Sequence, residues 1–336
     1  MKKVYIKTTE ACQLKCKHCY VGDNRKLIAL FDEDKTIGWV RKYLAKFGIE
    51  EKEVLFSFHG GEPFLCPTEK MQKVVDAFPA ATFDATSNLC FELTDERLAF
   101  IKKNFFDFYG MHEPFIKTSW DYDIRFPNAE MLGLWEHNVK TLIDNDVEVK
   151  VIICLTAPLV KNVFPKELHD YFVGLEIDYI DFERLTDNTT CDKSLIPDYT
   201  KQDAWLLDFY ENNEKLRVGM FESLAIASTG TFEGCRKRQC MQEVVTLNAN
   251  GTIGGCPNSA IAQFYTNVDS EPAVMCESCA RNQLIKNEQT REIGCYYCDL
   301  YTICNGDCHQ LSWQNGICPA PKNLIRRIKD DVARKA

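Results

Sequence analysis

The sequence predicts an α/β protein, a partial (β/α)6 TIM-like barrel followed by a small cysteine-rich domain. Three observations predict it. Short apolar runs alternate with helix-period segments from the start to about residue 212. Beyond about residue 213 that rhythm gives way to Gly, Asn and Cys. The 17 cysteines cluster, with Cys12, Cys16 and Cys19 in one group and ten more between Cys235 and Cys318. At 336 residues the chain exceeds the ~250–300 at which one core stops growing, so two domains are expected, 1–212 and 213–336.

Residues 4–8 read as the first strand, and the first cysteine group follows at once. Ile37, Val40, Leu44 and Phe47 lie at helical spacing, closed by Gly48 at a C′ position. Residues 54–58 form the second strand, with Met71, Val74, Val75 and Phe78 on the next helix. The third strand lies near 82–86, and Thr94 caps the helix carrying Leu98 and Ile101. Residues 115–119 are the fourth strand, before a helix with Trp135, Val139, Leu142 and Ile143. The fifth, 147–155, leads to the Leu168/Phe172 helix, and 178–182 with a helix around 204–210 completes a sixth unit. In the second region, short strands surround 243–247, the Asn250-Gly251 pair invites a hairpin, and 277–290 reads as helix. A parallel barrel or open sheet places function on the loops after the strands' C-terminal ends.

Composition narrows the function. Cysteine at this density in a long chain is no small disulfide scaffold. The opening MKKVYIKTTE lacks the apolar core of a signal peptide and no run of 18 apolar residues occurs, which predicts a soluble cytoplasmic protein without a membrane span. There, clustered thiols bind metal or do redox work. A net charge of −9, from 49 acidic and 40 basic residues, argues against general nucleic-acid binding.

Cys12, Cys16 and Cys19 follow a C-x3-C-x2-C spacing, expected by chance about 0.04 times in such a chain. Three thiolates can hold three irons of a [4Fe–4S] cluster and leave the fourth open to a substrate. Zinc is the alternative, with His18 as a fourth ligand. At the end of the second strand, Gly60 and Gly61 permit close backbone approach, Glu62 can accept from an ammonium group, and Pro63 stiffens the exit. A plain strand-end turn is the alternative there.

Together, Cys12, Cys16, Cys19, Tyr20 after the third cysteine, and the 60–63 segment resemble the radical S-adenosylmethionine (SAM) superfamily. The resemblance implies a [4Fe–4S] cluster whose open iron chelates SAM, with Gly60, Gly61, Glu62 and Pro63 contacting its amino group. It implies reductive cleavage of SAM to methionine and a 5′-deoxyadenosyl radical that abstracts a hydrogen atom. By the same resemblance, Thr86-Ser87-Asn88 and Ser119-Trp120-Asp121 contact the cosubstrate, Ser119 near its ribose, and Arg125 meets its carboxylate. Each of these also reads as an ordinary surface loop.

Among the later cysteines, Cys240 is followed by ten residues, Gly251, four more and Cys256; Cys295-x2-Cys298-x5-Cys304-x3-Cys308-x9-Cys318 comes after. A zinc ribbon is one reading. The whole pattern resembles the SPASM extension of radical SAM enzymes. That implies two auxiliary [4Fe–4S] clusters, Cys235, Cys240, Cys256 and Cys308 holding one and Cys295, Cys298, Cys304 and Cys318 the other. Arg236, Lys237 and Arg238 either offset cluster charge or form a solvated basic turn. Cys66, Cys90, Cys154, Cys191, Cys276 and Cys279 have no assigned role; Cys154 inside a strand reads as a buried small hydrophobe.

The expected function is a radical SAM oxidoreductase that modifies a peptide or protein oxidatively, similar to anaerobic sulfatase maturases and peptide-natural-product maturases. Its electron donor is expected to be a flavodoxin or ferredoxin. Because the chain opens at its first strand, leader recognition is expected to fall to another surface or a separate leader-binding protein. The alternatives are the same chemistry on a sugar or cofactor precursor, and a noncatalytic zinc or iron–sulfur module. Glu183, Arg184 and Asp307 lie near site-facing loops, with surface placement as the bland reading.

Overall fold

The computed structural model describes residues 2–106, 113–186, 192–259 and 263–335; Cys191 lies outside them. Seven strands run in sequence order as one parallel sheet: β1 (Lys2–Thr9), β2 (Val54–Gly60), β3 (Thr82–Ser87), β4 (Phe115–Trp120), β5 (Glu148–Leu155), β6 (Tyr179–Arg184) and β7 (Arg217–Val218). Helices fill the crossovers, as a parallel sheet requires. Asp32 caps the helix Glu33–Phe47 by accepting from the Lys35 amide, and Gly48 ends it at φ 62°. Thr94 caps Asp95–Asn104 through the Arg97 amide, as its position predicts.

Beyond residue 212 the strand–helix rhythm continues for one more unit. β7 has two residues and the helix Gly219–Ser228 follows it; a strand this short leaves no period to read. Three further strands, β8 (Val244–Leu247), β9 (Thr252–Gly254) and β10 (Phe264–Asn267), extend the same ten-stranded sheet past β1. β8 pairs with β1 in parallel, Lys3 opposite Val244, whereas β9 and β10 run antiparallel. The segment read as one helix over 277–290 is two, Val274–Glu277 and Cys279–Gln289, because the Ser278 side chain caps the second. Cys276 and Cys279 are exposed and sit on different helices. The last helix, Lys322–Lys335, docks on Tyr199–Asn212, whose Asp203 accepts from the Asn323 and Leu324 amides at 2.9 and 3.1 Å.

The two faces of the sheet differ in chemistry. Toward the helices, Phe56 packs on Phe78, Trp120 on Phe172 and Phe182 on Trp205. Toward the lumen the alternate positions are polar: Tyr5 meets His59 edge-to-face, Lys117 Nζ lies 2.5 Å from Asp84, and Lys150 Nζ stands 4.3 Å from the Phe115 ring centre. Closed TIM barrels fill this space with branched aliphatic side chains. Here charged and aromatic side chains occupy it.

Candidate functional site

The cysteine loop leaves β1 where the register with β2 slips between Lys7 and Thr9, turning the chain over the sheet's C-terminal edge. The 60–63 segment is stitched to it: the Gly61 amide donates to Thr9 O at 2.9 Å and the Glu62 amide to Ala11 O at 2.8 Å. The glycines are sterically obligatory. A Cβ on Gly60, at φ 137°, would fall 2.1 Å from Thr9 O, and one on Gly61 the same distance from Ala11 O.

Glu62 is fully buried, and its carboxylate accepts from the Phe64 amide (3.1 Å), Ser87 Oγ (2.9 Å) and the Asn88 amide (2.7 Å). Burial pushes its pKa up to about 7 against the pull of those donors. The carboxylate thus locks the end of β3 to the end of β2, and the surface-loop reading of Ser87 and Asn88 gives way to a buried one. Asn88 Nδ2 in turn reaches Cys12 Sγ at 3.5 Å, and Gln13 Nε2 donates to Asn88 Oδ1 at 3.1 Å. Pro63 O accepts from Thr8 Oγ1 at 3.1 Å. Tyr20 Oη lies 2.7 Å from His59 Nδ1 and 3.1 Å from Gly60 O. Burial lowers the His59 pKa to about 4, so the ring is neutral at physiological pH.

At the end of β4, Ser119 faces the lumen and Asp121 anchors a buried cluster. Arg125 Nε and Nη2 contact Asp121 Oδ2 at 2.7 and 2.6 Å, His18 Nε2 lies 3.3 Å from the same oxygen, and the Cys154 amide donates to Oδ1 at 2.8 Å. Arg125 is therefore half of an ion pair, not a surface side chain. The ligand atoms of His18, Asp121 and Cys154 lie within 4.8 Å of one another, but the guanidinium already supplies the positive charge there. Cys154, beside Asp121, is half-buried and packs against Ile124, Leu185 and Leu195, close to the small hydrophobe its strand position suggests; Cys66 and Cys90 are buried.

Beneath the loop lies a charged pair absent from the sequence reading. Lys7 (0% exposed) and Glu10 (2%) approach to 3.8 Å, with the Ala249 backbone also against the carboxylate, and burial lowers the Lys7 pKa and raises that of Glu10. Lys7 also stands 5.0 Å above the Tyr20 ring. Lys7→Met alone strands a buried carboxylate and is expected to lower unfolding stability by about 3–5 kcal/mol, whereas Lys7→Met with Glu10→Leu restores most of it. Denaturant titration of the three chains checks this; a single substitution costing under ~1 kcal/mol would show that the pair is not charged.

The later cysteines gather into two groups. The thiols of Cys240 and Cys308 are in hydrogen-bonding contact with Cys235, and Cys256 is close enough to raise the pKa of both Cys240 and Cys308. Cys295, Cys298, Cys304 and Cys318 line a second pocket, walled by Trp313 and Ile325. Four convergent sulfurs fit an iron–sulfur cluster or zinc in donor type. Between the groups, Arg184 and Asp307 form an ion pair in which each side chain is 7% exposed. Arg236 and Arg238 are likewise buried, and only Lys237 of that basic turn is out in solvent, paired with Glu243. Surface placement of Arg184 and Asp307, and a solvated turn at 236–238, are both overturned by long-range pairing.

No family model matches the chain, and no curated protein matches it. Among solved structures, anSMEcpe with bound AdoMet aligns over 99% of this chain and 97% of that one, with a TM-score of 0.77 at 15% identity. The fold is that of anSMEcpe. SuiB of Streptococcus suis bound to precursor peptide SuiA aligns over 95% of this chain and 76% of that one, with a TM-score of 0.62 at 15% identity. anSMEcpe has also been solved with AdoMet and the Cp18Cys peptide, at the same TM-score of 0.77. The likeness to these structures thus covers the whole fold, the parallel strand–helix region and the cysteine-rich region together.

Several charged residues of the sheet share one signal in the sequence. Lys3, Lys7, Lys117, Lys150, Asp181 and Glu183 are charges at every second position of apolar strands, a two-faced pattern that a helix-covered sheet tolerates only around a lumen. Burial and the neighbouring Asp181 raise the Glu183 pKa to about 8. Among the described residues, no helix is long and apolar enough to cross a membrane.

Proposed function

We propose that this chain is a radical SAM enzyme of the SPASM type that modifies a peptide or protein oxidatively. The observation that carries the reading is the convergence of Cys235, Cys240 and Cys308, and separately of Cys295, Cys298, Cys304 and Cys318, at a distance in sequence from the Cys12–Cys16–Cys19 loop. On this reading residues 1–212 hold SAM and its cluster, and 213–336 hold two auxiliary clusters. Cys12, Cys16 and Cys19 ligate the SAM-binding [4Fe–4S] cluster. Its chemistry, when bound, is delivery of one electron to SAM, giving methionine and a 5′-deoxyadenosyl radical that removes a substrate hydrogen atom.

The chain's own residues do the rest. Because the Glu62 carboxylate is spent on Ser87, Asn88 and Phe64, the 60–63 segment meets the SAM amino group through backbone carbonyls. Tyr20 holds Gly60 O in place. Ser119 meets the ribose, and Arg125, kept in orientation by Asp121, faces the carboxylate. The polar lumen admits a peptide backbone better than an aliphatic one would. SuiB and anSMEcpe, solved with peptides, support a peptide partner. An external flavodoxin or ferredoxin supplies the electron.

Anaerobic reconstitution tests the reading. About twelve irons per chain are expected, with 5′-deoxyadenosine formed from SAM under dithionite and a mass change in a peptide encoded beside the gene. Stoichiometric zinc in place of iron, with no SAM cleavage, would leave a noncatalytic binding module.

A further inference from the structure

One carboxylate joins the two later cysteine groups. Asp307, at φ 49°, accepts from the Cys308 amide at 2.8 Å while its own amide donates to Cys304 O at 3.0 Å. Its Oδ2 takes Arg184 from the end of β6, and Arg236 Nη2 approaches the same oxygen at 3.5 Å. Arg184 also donates to Pro319 O at 3.3 Å, beside Cys318, and Arg236, which follows Cys235 in sequence, donates to Ser223 Oγ at 2.9 Å. One ionic knot therefore adjoins residues next to Cys235 and Cys308 in one group and Cys304 and Cys318 in the other.

Its charges do not cancel. Two guanidinium groups face one carboxylate, and all three side chains are at most 9% exposed. Around this knot, Arg238 donates to Thr290 O at 2.6 Å, Glu288 accepts from the Cys240 amide at 2.7 Å, and the buried β6 carboxyls Glu183 and Asp181 face Arg184 and Arg236. A buried unit charge acts at low effective dielectric, where its field reaches neighbouring groups with little screening. Groups hydrogen-bonded behind metal ligands set both ligand orientation and reduction potential.

We infer that Arg184, Asp307 and Arg236 are positioning residues that hold a buried positive charge between the two auxiliary clusters and thereby set their reduction potentials. The inference rests on the eight cysteines being cluster ligands. Reduction adds a negative charge to a cluster, which this excess cation favours. The knot also ties β6, which lines the lumen, to both cysteine groups, so the barrel and the electron acceptors keep a fixed spacing.

The test is a redox titration of the reconstituted full chain, followed by electron paramagnetic resonance. Arg184→Met removes one positive charge and is expected to lower the reduction equilibrium constant of an auxiliary cluster about tenfold, 59 mV for one electron. Asp307→Asn removes the negative charge and shifts it the opposite way. Arg184→Lys keeps the charge and returns the equilibrium constant to within about threefold of the parent. A purely structural knot cannot produce opposite signs. Equal potentials, shifts of one sign, or loss of auxiliary iron in all variants, Arg184→Lys included, overturns the inference. A parent chain with only about four irons overturns the cluster reading itself and this inference with it.

Discussion

Cys16→Ala reduces 5′-deoxyadenosine formation to the level of a protein-free control while about eight of twelve irons stay bound. Cys16 is buried under the loop, with Asp121 and Arg125 close by, and its carbonyl accepts from the Cys19 amide at 3.2 Å. Alanine keeps that turn and removes only the sulfur. With two thiols left, the loop no longer offers the three sulfurs that the proposed SAM-binding cluster requires to leave one iron open. The other two cysteine groups draw their sulfurs from residues 235 to 318, so their occupancy is independent of this loop. Iron and sulfide analysis with a SAM-cleavage assay checks both halves. Retained cleavage would remove Cys16 from the ligand set, and loss of all iron would make the three groups one cooperative unit.

Much of this was legible because local periodicity and capping agree with the tertiary fold. The strands β1 to β6, the Asp95–Asn104 cap at Thr94 and the stop at Gly48 all follow from signals within a few residues. β7 escaped because two residues carry no period, and the parallel pairing of β8 with β1 because it joins positions about 240 apart. The same reason hides the ionic knot: Arg184 and Asp307 are 123 residues apart, and nothing near either one announces a partner. Glu62 shows the converse. Its motif was plain, but its carboxylate serves Ser87 and Asn88 because β3 ends beside it, a fact of topology rather than of spacing.

Gly61→Ala is expected to cost more than a methyl group normally does. The added Cβ would sit 2.1 Å from Ala11 O and 2.3 Å from Glu10 O, backbone atoms that cannot rotate away as a side-chain end would. The chain must open by about 1 Å to reach ordinary contact, which costs ~1–3 kcal/mol in a packed site. Opening also strains the Gly61-to-Thr9 and Glu62-to-Ala11 hydrogen bonds and displaces the segment that delivers Cys12. A 1 Å displacement of reacting groups is enough to lose about 100-fold in rate. SAM cleavage should fall by at least that much, with iron loss confined to the first cluster. Gly38→Ala is the control: it lies inside the helix Glu33–Phe47 with nothing within 4 Å of the new Cβ, so it should stabilise the chain by ~0.5–1 kcal/mol and leave cleavage intact. If Gly61→Ala cleaves SAM within threefold of the parent, the cradle yields, and the contact between the glycine segment and the cysteine loop does not position the chemistry.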